Sequence, residues 1–251
     1  MIDAGRIFLT GGEGRLGAEL RRLLPAPRGE PGIVAPTLAE MDITRPEQIE
    51  AALAGRDVRV LVHAAAYTNV AAAESDRLAC WQINVEGTHN IVRAAMRHDL
   101  RLVHISTDYV FAGTAGDYRE DDPPGPVRNY YALTKLVAEQ LARLARRHLI
   151  IRTSFRPREW PYDNAFTDVY TSQDYVDVIA PEIALAIGHC DEIPYTVLHI
   201  ATERKSLYEL ARRRRGDVRP SSKAESTVNH PDDTSLDVSR WRQLKQAWEK
   251  G

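Results

Sequence analysis

The sequence has little cysteine, no long apolar run and no excess of either charge. Cys80 and Cys190 are the only two cysteines among 251 residues. Two distant cysteines do not make a disulfide framework, so a reducing compartment is expected. No apolar run approaches the roughly 18 residues that a membrane-spanning helix needs. The start, Met1–Arg6, lacks the basic region and apolar stretch of a signal peptide, and together these absences predict a cytoplasmic protein.

The charge balance excludes some classes of partner. Lys plus Arg number 33 and Asp plus Glu number 35, so the formal net charge is −2. Proteins dedicated to nucleic acid or to a membrane surface carry a basic excess, so neither partner is expected. Apolar residues make up 43% and charged residues 27% of the chain, which is typical of a globular protein. At roughly 150 residues per domain, the length predicts one large domain or one domain with a small lobe.

Short apolar runs alternate with helical patterns in the first two thirds of the chain. The predicted strands are 6–10, 33–35, 58–62, 102–106 and 148–151. The predicted helical regions are 15–24, 44–53, 73–98 and 130–147, and the third of these is predicted as one helix or as two pieces. Thr44 with Glu47 has the spacing of a capping box at the start of the second helix. The alternation predicts an α/β fold with a doubly wound, mostly parallel sheet that helices cover on both faces.

Beyond about residue 155 the pattern becomes irregular. Helical patterns return at 174–188 and 239–248, and 197–200 resembles one more strand. Ser206 with Glu209 forms a second capping-box pattern, which predicts a helix through the Arg212–Arg215 run.

Two other features have simple interpretations. The Arg212–Arg215 cations are expected to complement the helix dipole and face water rather than bind nucleic acid. His189, Cys190 and Asp191 are consecutive and lack the spacing of metal ligands, so no metal site is predicted.

A glycine-rich turn follows the first predicted strand and opens the first predicted helix. Gly12, Gly14 and Gly17 have G-x-G-x-x-G spacing, and Gly11 precedes them in an overlapping G-x-x-G-x-x-G pattern. Glycine reaches the positive φ that such a turn needs, and its missing side chain lets the backbone approach a pyrophosphate. The helix N-terminus then offers free N–H groups to the anion. The turn therefore predicts a dinucleotide site.

The turn does not decide between NADH and NADPH. A carboxylate about 20 residues past such a turn usually binds the ribose of NAD. Leu38 stands near the end of the second predicted strand, and Glu40 is the nearest carboxylate. The expected cofactor is therefore NADPH or NADH.

Tyr131 and Lys135 are four residues apart on a predicted helix and therefore share a face. A nearby ammonium stabilises a phenolate and lowers its pKa from about 10, which makes tyrosine a usable proton donor near neutral pH. Tyr130 cannot form such a pair, because the residue four positions after it is Thr134 and not lysine. The pair lies between the fourth and fifth predicted strands, where it can serve a cofactor site.

Small and hydroxyl-bearing residues end two of the predicted strands. Ser106 and Thr107 lie at the C-terminal end of the fourth strand, and open parallel sheets bind ligands at that edge. Either hydroxyl can hydrogen-bond a substrate carbonyl oxygen. Ala64–Ala66 follow the third strand, and their small side chains allow a flat cofactor to lie close to the backbone.

Taken together, these motifs resemble those of the extended short-chain dehydrogenase/reductases and, more closely, of the dTDP-4-dehydrorhamnose reductase family. The matching stretches are Leu9–Gly17 (LTGGEGRLG), Glu40–Thr44 (EMDIT), Ala64–Thr68 (AAAYT), Asn84–Gly87 (NVEG), Ser106–Phe111 (STDYVF), Tyr131–Lys135 (YALTK) and Arg152–Phe155 (RTSF). They cover about residues 5–155 in order.

The resemblance implies a role for each matching residue. It implies that Thr107, Tyr131 and Lys135 form a catalytic trio and that Tyr131 and Lys135 also touch the cofactor. The other implied cofactor-binding residues are Gly11, Gly14, Arg15, Leu16 and Gly17 at the pyrophosphate, Asp42 and Ile43 at the adenine, and Ala64, Ala65, Ala66 and Tyr67 along the cofactor. The implied substrate-binding residues are Thr107, Tyr109 and Phe155.

The resemblance also implies an NAD(P)-binding Rossmann domain over 1–155 and a reduced substrate-binding lobe over 156–251 that is interleaved with the sheet. Three departures from the family concern the substrate. Phe155 stands where the family usually has tryptophan, 157–177 has no close family counterpart, and the lobe is shorter than usual. Leu38 also replaces the usual arginine after the second strand.

The implied activity is NAD(P)H-dependent reduction of a nucleotide-linked 4-keto-6-deoxy sugar, with Tyr131 as proton donor. An NAD-retaining sugar-nucleotide epimerase and a non-catalytic nucleotide-binding regulatory protein are the alternatives. Dehydration is disfavoured. Sugar-nucleotide 4,6-dehydratases typically have an Asp-Glu pair after the catalytic threonine for the elimination of water, whereas here Asp108 is followed by Tyr109. The implied partner is a nucleotide-sugar substrate, and a homodimer is left open because extended family members often pair long helices between subunits.

Overall fold

The computed structural model describes residues 6–24, 33–226 and 230–250. The prediction drawn from the first residues of the chain, Met1–Gly5, lies outside the described residues. The strands are β1 (Ile7–Thr10), β2 (Val60–His63), β3 (Arg101–Thr107), β4 (His148–Thr153), β5 (Phe155–Arg156), β6 (Asn164–Phe166), β7 (Tyr170–Thr171), β8 (Asp174–Tyr175), β9 (Val197–His199), β10 (Lys205–Ser206) and β11 (Arg219–Ser221). The α-helices are α1 (Arg15–Leu23), α2 (Pro46–Leu53), α3 (Arg77–Trp81), α4 (Thr88–Arg97), α5 (Tyr130–Ala142), α6 (Val176–Gly188), α7 (Leu207–Arg212) and α8 (Ser239–Lys250).

A five-stranded sheet has the order β1-β2-β3-β4-β9. Strands β1 and β2 pair in parallel with Ile7 opposite Val60, and β2 and β3 pair in parallel with Val60 opposite Arg101. All four residues of β1 and of β2 are buried, as expected for parallel strands that are covered on both faces of the sheet. The predicted α/β class with a parallel central sheet is confirmed.

Contacts divide the chain into two compact units. The first comprises the described residues up to Ser106 together with 129–151 and 180–197, and the second comprises 107–128, 152–179 and the described residues from Leu198 onward. The sequence prediction divides the chain once, near residue 155, whereas the contacts assign 107–128 to the second unit and 180–197 to the first.

The first unit has an aliphatic core built from the sheet and its helices. Phe8, Leu61 and Leu102, from three neighbouring strands, pack with Ile49 of α2 and Ile91 of α4, and all five side chains are fully buried. Burying a side chain of this size contributes about 1.5–3 kcal/mol, so this cluster stabilises the packing of α2 and α4 on the sheet.

The predicted strand at 33–35 is wrong. Only Val34 joins the sheet, in an isolated parallel bridge to Phe8, with hydrogen bonds from Leu9 N to Val34 O and from Val34 N to Ile7 O. Pro36 follows two residues later and has no N–H to extend a ladder.

The predicted helix at 73–98 is broken into pieces. A 3₁₀ turn (Ala72–Glu74) precedes α3, and a π-helical segment (Gln82–Gly87) joins α3 to α4. The predicted helix at 130–147 ends earlier, at Ala142, where the backbone tightens into bonds from Leu144 N to Leu141 O and from Ala145 N to Ala142 O.

One of the two predicted capping boxes forms. At α7, the Ser206 hydroxyl accepts the Glu209 N–H and the Glu209 carboxylate accepts the Ser206 N–H. At α2 the prediction is wrong, because the N-cap is Arg45 and the Thr44 hydroxyl donates instead to Asp42. Pro46 at the start of α2 has no backbone N–H, so fewer free N–H groups remain there for a capping side chain to accept.

The second unit contains short strands and many ion pairs. Its two-stranded ladders are β10-β7, β11-β6 and β5-β8. Helix α7 ends at Arg212, so the predicted helix through Arg215 is too long. The three arginines that follow pair with carboxylates: Arg213 with Asp174 and Glu203, Arg214 with Asp177, and Arg215 with Asp163 and Asp217.

Over the described residues, no helix is long and apolar enough to cross a bilayer. In the same part of the chain, no group of three His, Cys, Asp or Glu side chains is arranged to hold a metal ion.

We expect Glu209→Ala to lower the free energy of unfolding by about 1 kcal/mol, because it removes half of the capping box. Glu47→Ala is the matched control, since Glu47 occupies the same position in the box that does not form, and it should change stability by less than about 0.5 kcal/mol. Urea unfolding followed by tryptophan fluorescence measures both. Equal losses in the two variants would contradict the assignment.

Candidate active site

The glycine turn of the first unit forms a tight backbone cradle between β1 and α1. Gly11 has a φ of 72°, and a Cβ there would lie 2.7 Å from the backbone N of Ala65. A Cβ on Gly17 would collide with the carbonyl oxygen of Gly11. The turn therefore requires glycine at both positions, and the bare backbone is left open to a ligand.

The N-terminus of α1 is suited to an anion. Its N-cap, Gly14, has no side chain to accept a helix N–H, and the first turn contains no acidic residue. Gly14 and Arg15 are exposed, whereas Leu16 and Gly17 are buried and fix the helix against the turn. Free N–H groups, the positive end of the helix dipole and a nearby arginine suit the pyrophosphate of a dinucleotide.

The alanine loop, Ala64–Tyr67, continues from β2 beside this turn. It is half-buried, and Ala65 N donates to the Thr10 hydroxyl at 3.2 Å. The backbone N–H of Tyr67 donates to Asn84 Oδ1 at 2.8 Å, and Asn84 Nδ2 donates back to Tyr67 O at 3.2 Å. The loop is therefore held from both sides with its small side chains free to line a ligand.

Asn84 lies in the π-helical segment and connects this loop to α5. Its Nδ2 also contacts the Thr134 hydroxyl at 3.0 Å, and that hydroxyl donates to the carbonyl of Tyr131 at 2.8 Å. The side chain is buried, with 2% exposure. π-helical turns often occur at functional sites because they turn a side chain out of the regular helical register. Asn84 lies in a stretch that matches the family, Asn84–Gly87, but no local sequence pattern predicts its role.

Asp42 and Ile43 are ordered by local hydrogen bonds. Asp42 Oδ1 accepts the N–H and the hydroxyl of Thr44, both at 2.8 Å, and the Ile43 carbonyl accepts Asn90 Nδ2 at 3.1 Å. Their role beside an adenine stays a prediction. Glu40, the nearest carboxylate past the turn, accepts the N–H and the hydroxyl of Thr37.

Tyr131 and Lys135 are both buried on α5, with 9% and 4% exposure. The helix starts at Tyr130, where the Asn129 side chain caps the N–H of Ala132 at 2.8 Å. Lys135 Nζ donates to the carbonyl of Ile105 at 2.8 Å. Burial lowers the pKa of Lys135 to about 8, although the charge of Glu139 raises it. This ammonium is therefore a buried, positioned group rather than a solvated surface charge.

Two other buried ionisable side chains, Glu139 and His63, act on Lys135 or are acted on by it. The Glu139 carboxylate accepts the Ser106 hydroxyl at 2.6 Å. His63 lies between the hydroxyls of Thr10 and Thr88, and burial, together with the charge of Lys135, lowers its pKa to about 3. A neutral His63 leaves Lys135 as the cation of this buried region near neutral pH.

Thr107, Asp108 and Tyr109 belong to the second unit. The Thr107 hydroxyl donates to Asp108 Oδ1 at 3.0 Å and accepts the N–H of Tyr109 at 3.2 Å. Asp108 is 1% exposed. Burial raises its pKa to about 6, and hydrogen bonds from Thr234, Thr107 and Ser154 lower it only in part.

The second unit contains a cavity of about 350 Å³, which we call the aromatic cavity. Tyr109, a predicted substrate-binding residue, lines it, whereas Phe155 is not among the described lining residues. Its neighbour in the sequence, Arg156, does line the cavity. The cavity is lined by Tyr109, Arg156, Trp160, Tyr162, Asn164, Phe166, Val169, Tyr170, Thr171, Gln173, Leu207, His230, Pro231 and Thr234.

Burial raises the pKa of Tyr109 to about 12, with a further rise from the charge of Asp108 and an opposing effect of Arg156. Its phenol is therefore a protonated hydrogen-bonding group at neutral pH and not a proton acceptor. Arg156 and most of the other lining residues were not predictable from the sequence, because they come from separate stretches that no local pattern joins.

The chain is similar to known proteins along most of its length. The family model of the RmlD substrate binding domain matches residues 5–164. A dTDP-4-dehydrorhamnose reductase of Aggregatibacter actinomycetemcomitans is 33% identical over 184 residues, which cover 71% of this chain and 61% of the relative. A dTDP-4-dehydrorhamnose reductase of Mycobacterium tuberculosis (strain H37Rv) is 34% identical over 190 residues, which cover 73% of this chain and 57% of the relative. The chain therefore spans about three fifths of the length of these curated relatives.

Solved structures share the fold over nearly the whole chain. A dTDP-4-dehydrorhamnose reductase of Bacillus anthracis in complex with NADP has a TM-score of 0.82 at 25% identity, over 97% of this chain and 92% of that one. A hypothetical dTDP-4-dehydrorhamnose reductase of Sulfolobus tokodaii has a TM-score of 0.78 at 33% identity, over 95% of this chain and 94% of that one.

Asp108 predicts a pH-dependent stability. The folded protein binds the Asp108 proton more tightly than the unfolded chain does, so this carboxyl stabilises the fold at low pH, and that contribution is lost as the pH rises through about 6. Between pH 5 and pH 8, wild type should therefore lose about 1 kcal/mol of unfolding free energy relative to Asp108→Asn.

Urea unfolding of both proteins at the two pH values measures this difference. Asp121→Asn, which removes an exposed carboxyl, is the control and should show no such change relative to wild type. If the difference in unfolding free energy between wild type and Asp108→Asn is the same at pH 5 and at pH 8, Asp108 does not titrate as argued.

Proposed function

The chain belongs to the family of the RmlD substrate binding domain, and from this premise we propose that it reduces a nucleotide-linked 4-keto-6-deoxy sugar with NADPH or NADH. The relatives named as dTDP-4-dehydrorhamnose reductases and the neighbour solved with NADP support the reaction class. The observation that carries the proposal is the buried Lys135 ammonium, positioned on the same helix as Tyr131.

The glycine cradle and the alanine loop fit a nicotinamide dinucleotide. Gly11 and Gly17 leave the space that a pyrophosphate needs, and the uncapped start of α1 provides N–H donors. In this proposal Arg15 contacts the same phosphates, and Ala64–Tyr67 line the rest of the cofactor. When bound, the reduced cofactor supplies a hydride to the sugar carbonyl carbon.

Tyr131 and Lys135 supply the proton. Tyr131 protonates the oxygen that becomes negative as the carbonyl is reduced, which is general acid catalysis. In this proposal the Lys135 ammonium stabilises the negative charge that Tyr131 acquires when it gives up its proton, and it binds a ribose hydroxyl. The carbonyl of Ile105 fixes Nζ, so the charge is in place before the substrate arrives.

Thr107 is proposed to hydrogen-bond the same substrate oxygen. A hydroxyl has one proton, and here that proton is donated to Asp108. A protonated Asp108 can donate to Thr107 in return, which releases the Thr107 proton for the substrate. Asp108 is therefore proposed as a positioning residue for Thr107.

The remaining parts of the proposal concern setting and assembly. The substrate is a nucleotide sugar, the reaction takes place in the cytoplasm, and neither nucleic acid nor a membrane is a partner. A homodimer is left open, and light scattering of the purified protein would test it.

NAD⁺ that stays bound through purification and is not consumed would favour an epimerase instead, and capture of a protein partner without turnover would favour a regulatory role.

A panel of dTDP-, UDP-, GDP- and CDP-linked 4-keto sugars, each with NADH and NADPH, tests the activity by loss of nicotinamide absorbance. Oxidation of the cofactor with one of these sugars supports the proposal. No turnover with any member of the panel, from protein that binds the cofactor, would contradict it.

We expect Tyr131→Phe to reduce kcat by about 10²- to 10⁴-fold, because it removes the proton donor, while the dissociation constant for the cofactor changes little. Tyr130→Phe is the matched control. The Tyr130 ring lies 5.0 Å from the guanidinium of Arg77, a contact that phenylalanine can keep, so near wild-type turnover is expected. Equal kcat values for the two variants would remove Tyr131 from the mechanism.

Lys135 predicts an alkaline limit to activity. The ammonium is charged below its pKa of about 8 in the cofactor-free protein, so kcat/KM for the cofactor should fall as the pH rises past that value. Lys135→Arg keeps its charge at every accessible pH and should move this limit upward, even if its overall rate is lower. An unchanged pH profile in Lys135→Arg would assign the limit to another group.

A further inference from the structure

The short segment after Val34 occupies the position at which folds of this class bind the adenosine ribose of a dinucleotide. Val34 bridges to β1, and Thr37 and Leu38 follow the last glycine of the turn by about 20 residues. The residue at that distance usually offers a carboxylate to the 2′-hydroxyl of NAD or an arginine to the 2′-phosphate of NADP. Leu38 can do neither, so another side chain must distinguish the two cofactors.

Glu13 brings a carboxylate to that position from the glycine turn. Its Oε2 accepts the backbone N–H of Leu38 at 2.9 Å, although the two residues are 25 positions apart. Glu13 is exposed, so a ligand can reach its carboxylate. The two carboxylate oxygens accept more than one hydrogen bond, so Glu13 can accept a ribose hydroxyl while it keeps the Leu38 N–H. The turn therefore supplies the carboxylate that the segment after Val34 lacks.

A second carboxylate disfavours a phosphate at the same segment. Glu40 Oε2 accepts the N–H of Thr37 at 2.8 Å and the Thr37 hydroxyl at 3.0 Å. These hydrogen bonds lower the pKa of Glu40, so it is charged at neutral pH. The N–H groups of Thr37 and Leu38 could serve a phosphate, but both already donate to carboxylates. A phosphate monoester carries about 1.5 to 2 negative charges at pH 7, and both carboxylates would repel it.

Within the described part of the chain, the two carboxylates have no counter-ion. Neither Glu13 nor Glu40 forms an ion pair with a described residue, and residues 33–44 include no lysine or arginine. A cation of α1 approaches the turn from the other side: Arg21 Cδ lies 3.4 Å from the position of a Cβ on Gly12. Arg21 is therefore the side chain that could attract a phosphate, and it has to be tested beside Glu13.

We propose that Glu13 selects the cofactor: its carboxylate accepts the ribose 2′-hydroxyl of NADH and repels the 2′-phosphate of NADPH, so the chain prefers NADH. This inference rests on the proposed function for its choice of a nicotinamide dinucleotide, and it narrows the cofactor from two to one. Leu38 agrees with it, because a ribose that carries no phosphate needs no cation at that position. Glu40 adds to the repulsion without contacting Glu13's hydrogen-bond partner.

Binding measured without a sugar substrate tests the inference. Calorimetric titration of the full chain with NADH and with NADPH should give a dissociation constant about 10-fold smaller for NADH. Glu13→Gln keeps an oxygen that can accept the Leu38 N–H but removes the charge, so it should reduce this preference to about threefold or less, mainly through tighter binding of NADPH. Because exposed charges cause the discrimination, added salt should also reduce the wild-type preference.

Asp57→Asn is the matched control, because Asp57 is an exposed carboxylate before the start of β2, at the opposite edge of the sheet from the glycine turn. It should change the preference less than about twofold, since charges this far apart in water are largely screened. Arg21→Met should have an equally small effect. Glu13→Lys reverses the charge and should favour NADPH, which provides a second measurement if Glu13→Gln folds poorly by circular dichroism.

Three results would overturn the inference: NADPH bound by wild type as tightly as NADH, equal changes of the preference in Glu13→Gln and Asp57→Asn, or a larger change in Arg21→Met than in Glu13→Gln. The outcome is separable from that of the proposed function. A preference for NADH that depends on Glu13 but without sugar reduction would contradict only the activity, whereas sugar reduction by a protein that binds both cofactors equally would contradict only this inference.

Discussion

The side chain of Asn84 is the point on which the cofactor half of the candidate site depends. Its amide satisfies both the N–H and the carbonyl of Tyr67 and also contacts Thr134, whose hydroxyl in turn bonds the carbonyl of Tyr131. One buried amide therefore connects the alanine loop to the helix that carries the tyrosine and the lysine. A buried amide left with unmet hydrogen bonds is costly, so this arrangement specifies a single register between loop and helix. The π-helical segment is the local distortion that lets Asn84 reach all of these groups.

Two buried ionisable groups, Lys135 and Asp108, and the half-buried Arg156 have pKa values that burial shifts. Burial lowers the pKa of Lys135 and of Arg156 and raises the pKa of Asp108, and each shift favours the neutral form of the side chain. Burial of a charge opposes folding, and a protein core rarely contains such groups without a use for them. Lys135 is stabilised by the Ile105 carbonyl and Asp108 by hydroxyl donors, whereas Arg156 makes no ion pair with any described residue. The difference between these environments is the physical basis for giving Lys135 and Asp108 different proposed roles, a positioned cation and a titrating carboxyl.

Features with a short sequence span were predictable, and features assembled over long distances were not. The glycine turn, the Tyr131–Lys135 pair and the Ser206–Glu209 box depend on residues within one turn or helix, where local geometry follows from spacing. The box at Thr44 failed because the hydroxyl had a competing acceptor, Asp42, two residues away. The aromatic cavity has no such local signature, because its lining extends from Tyr109 to Thr234 and becomes contiguous only in the folded second unit.

The second unit forms this cavity from strands of only two or three residues, too short to be stable as isolated ladders. The interactions of Asp174 show how such short strands are held together. That carboxylate is 2% exposed and accepts Arg213 at 2.9 Å and Thr202 at 3.1 Å, with Lys205 at 3.7 Å. Since Asp174 belongs to β8, which pairs with the strand that contains Arg156, the same carboxylate also fixes the strand from which Arg156 projects. Removing one partner of a buried charge pair leaves the other uncompensated, so the pairs around Asp174 hold the short strands in one arrangement. The ion pairs at Asp174 thus act together with the hydrophobic cluster of the second unit, to which Tyr175 of β8 and Leu210 of α7 belong, and the two kinds of interaction hold the short strands beside the cavity.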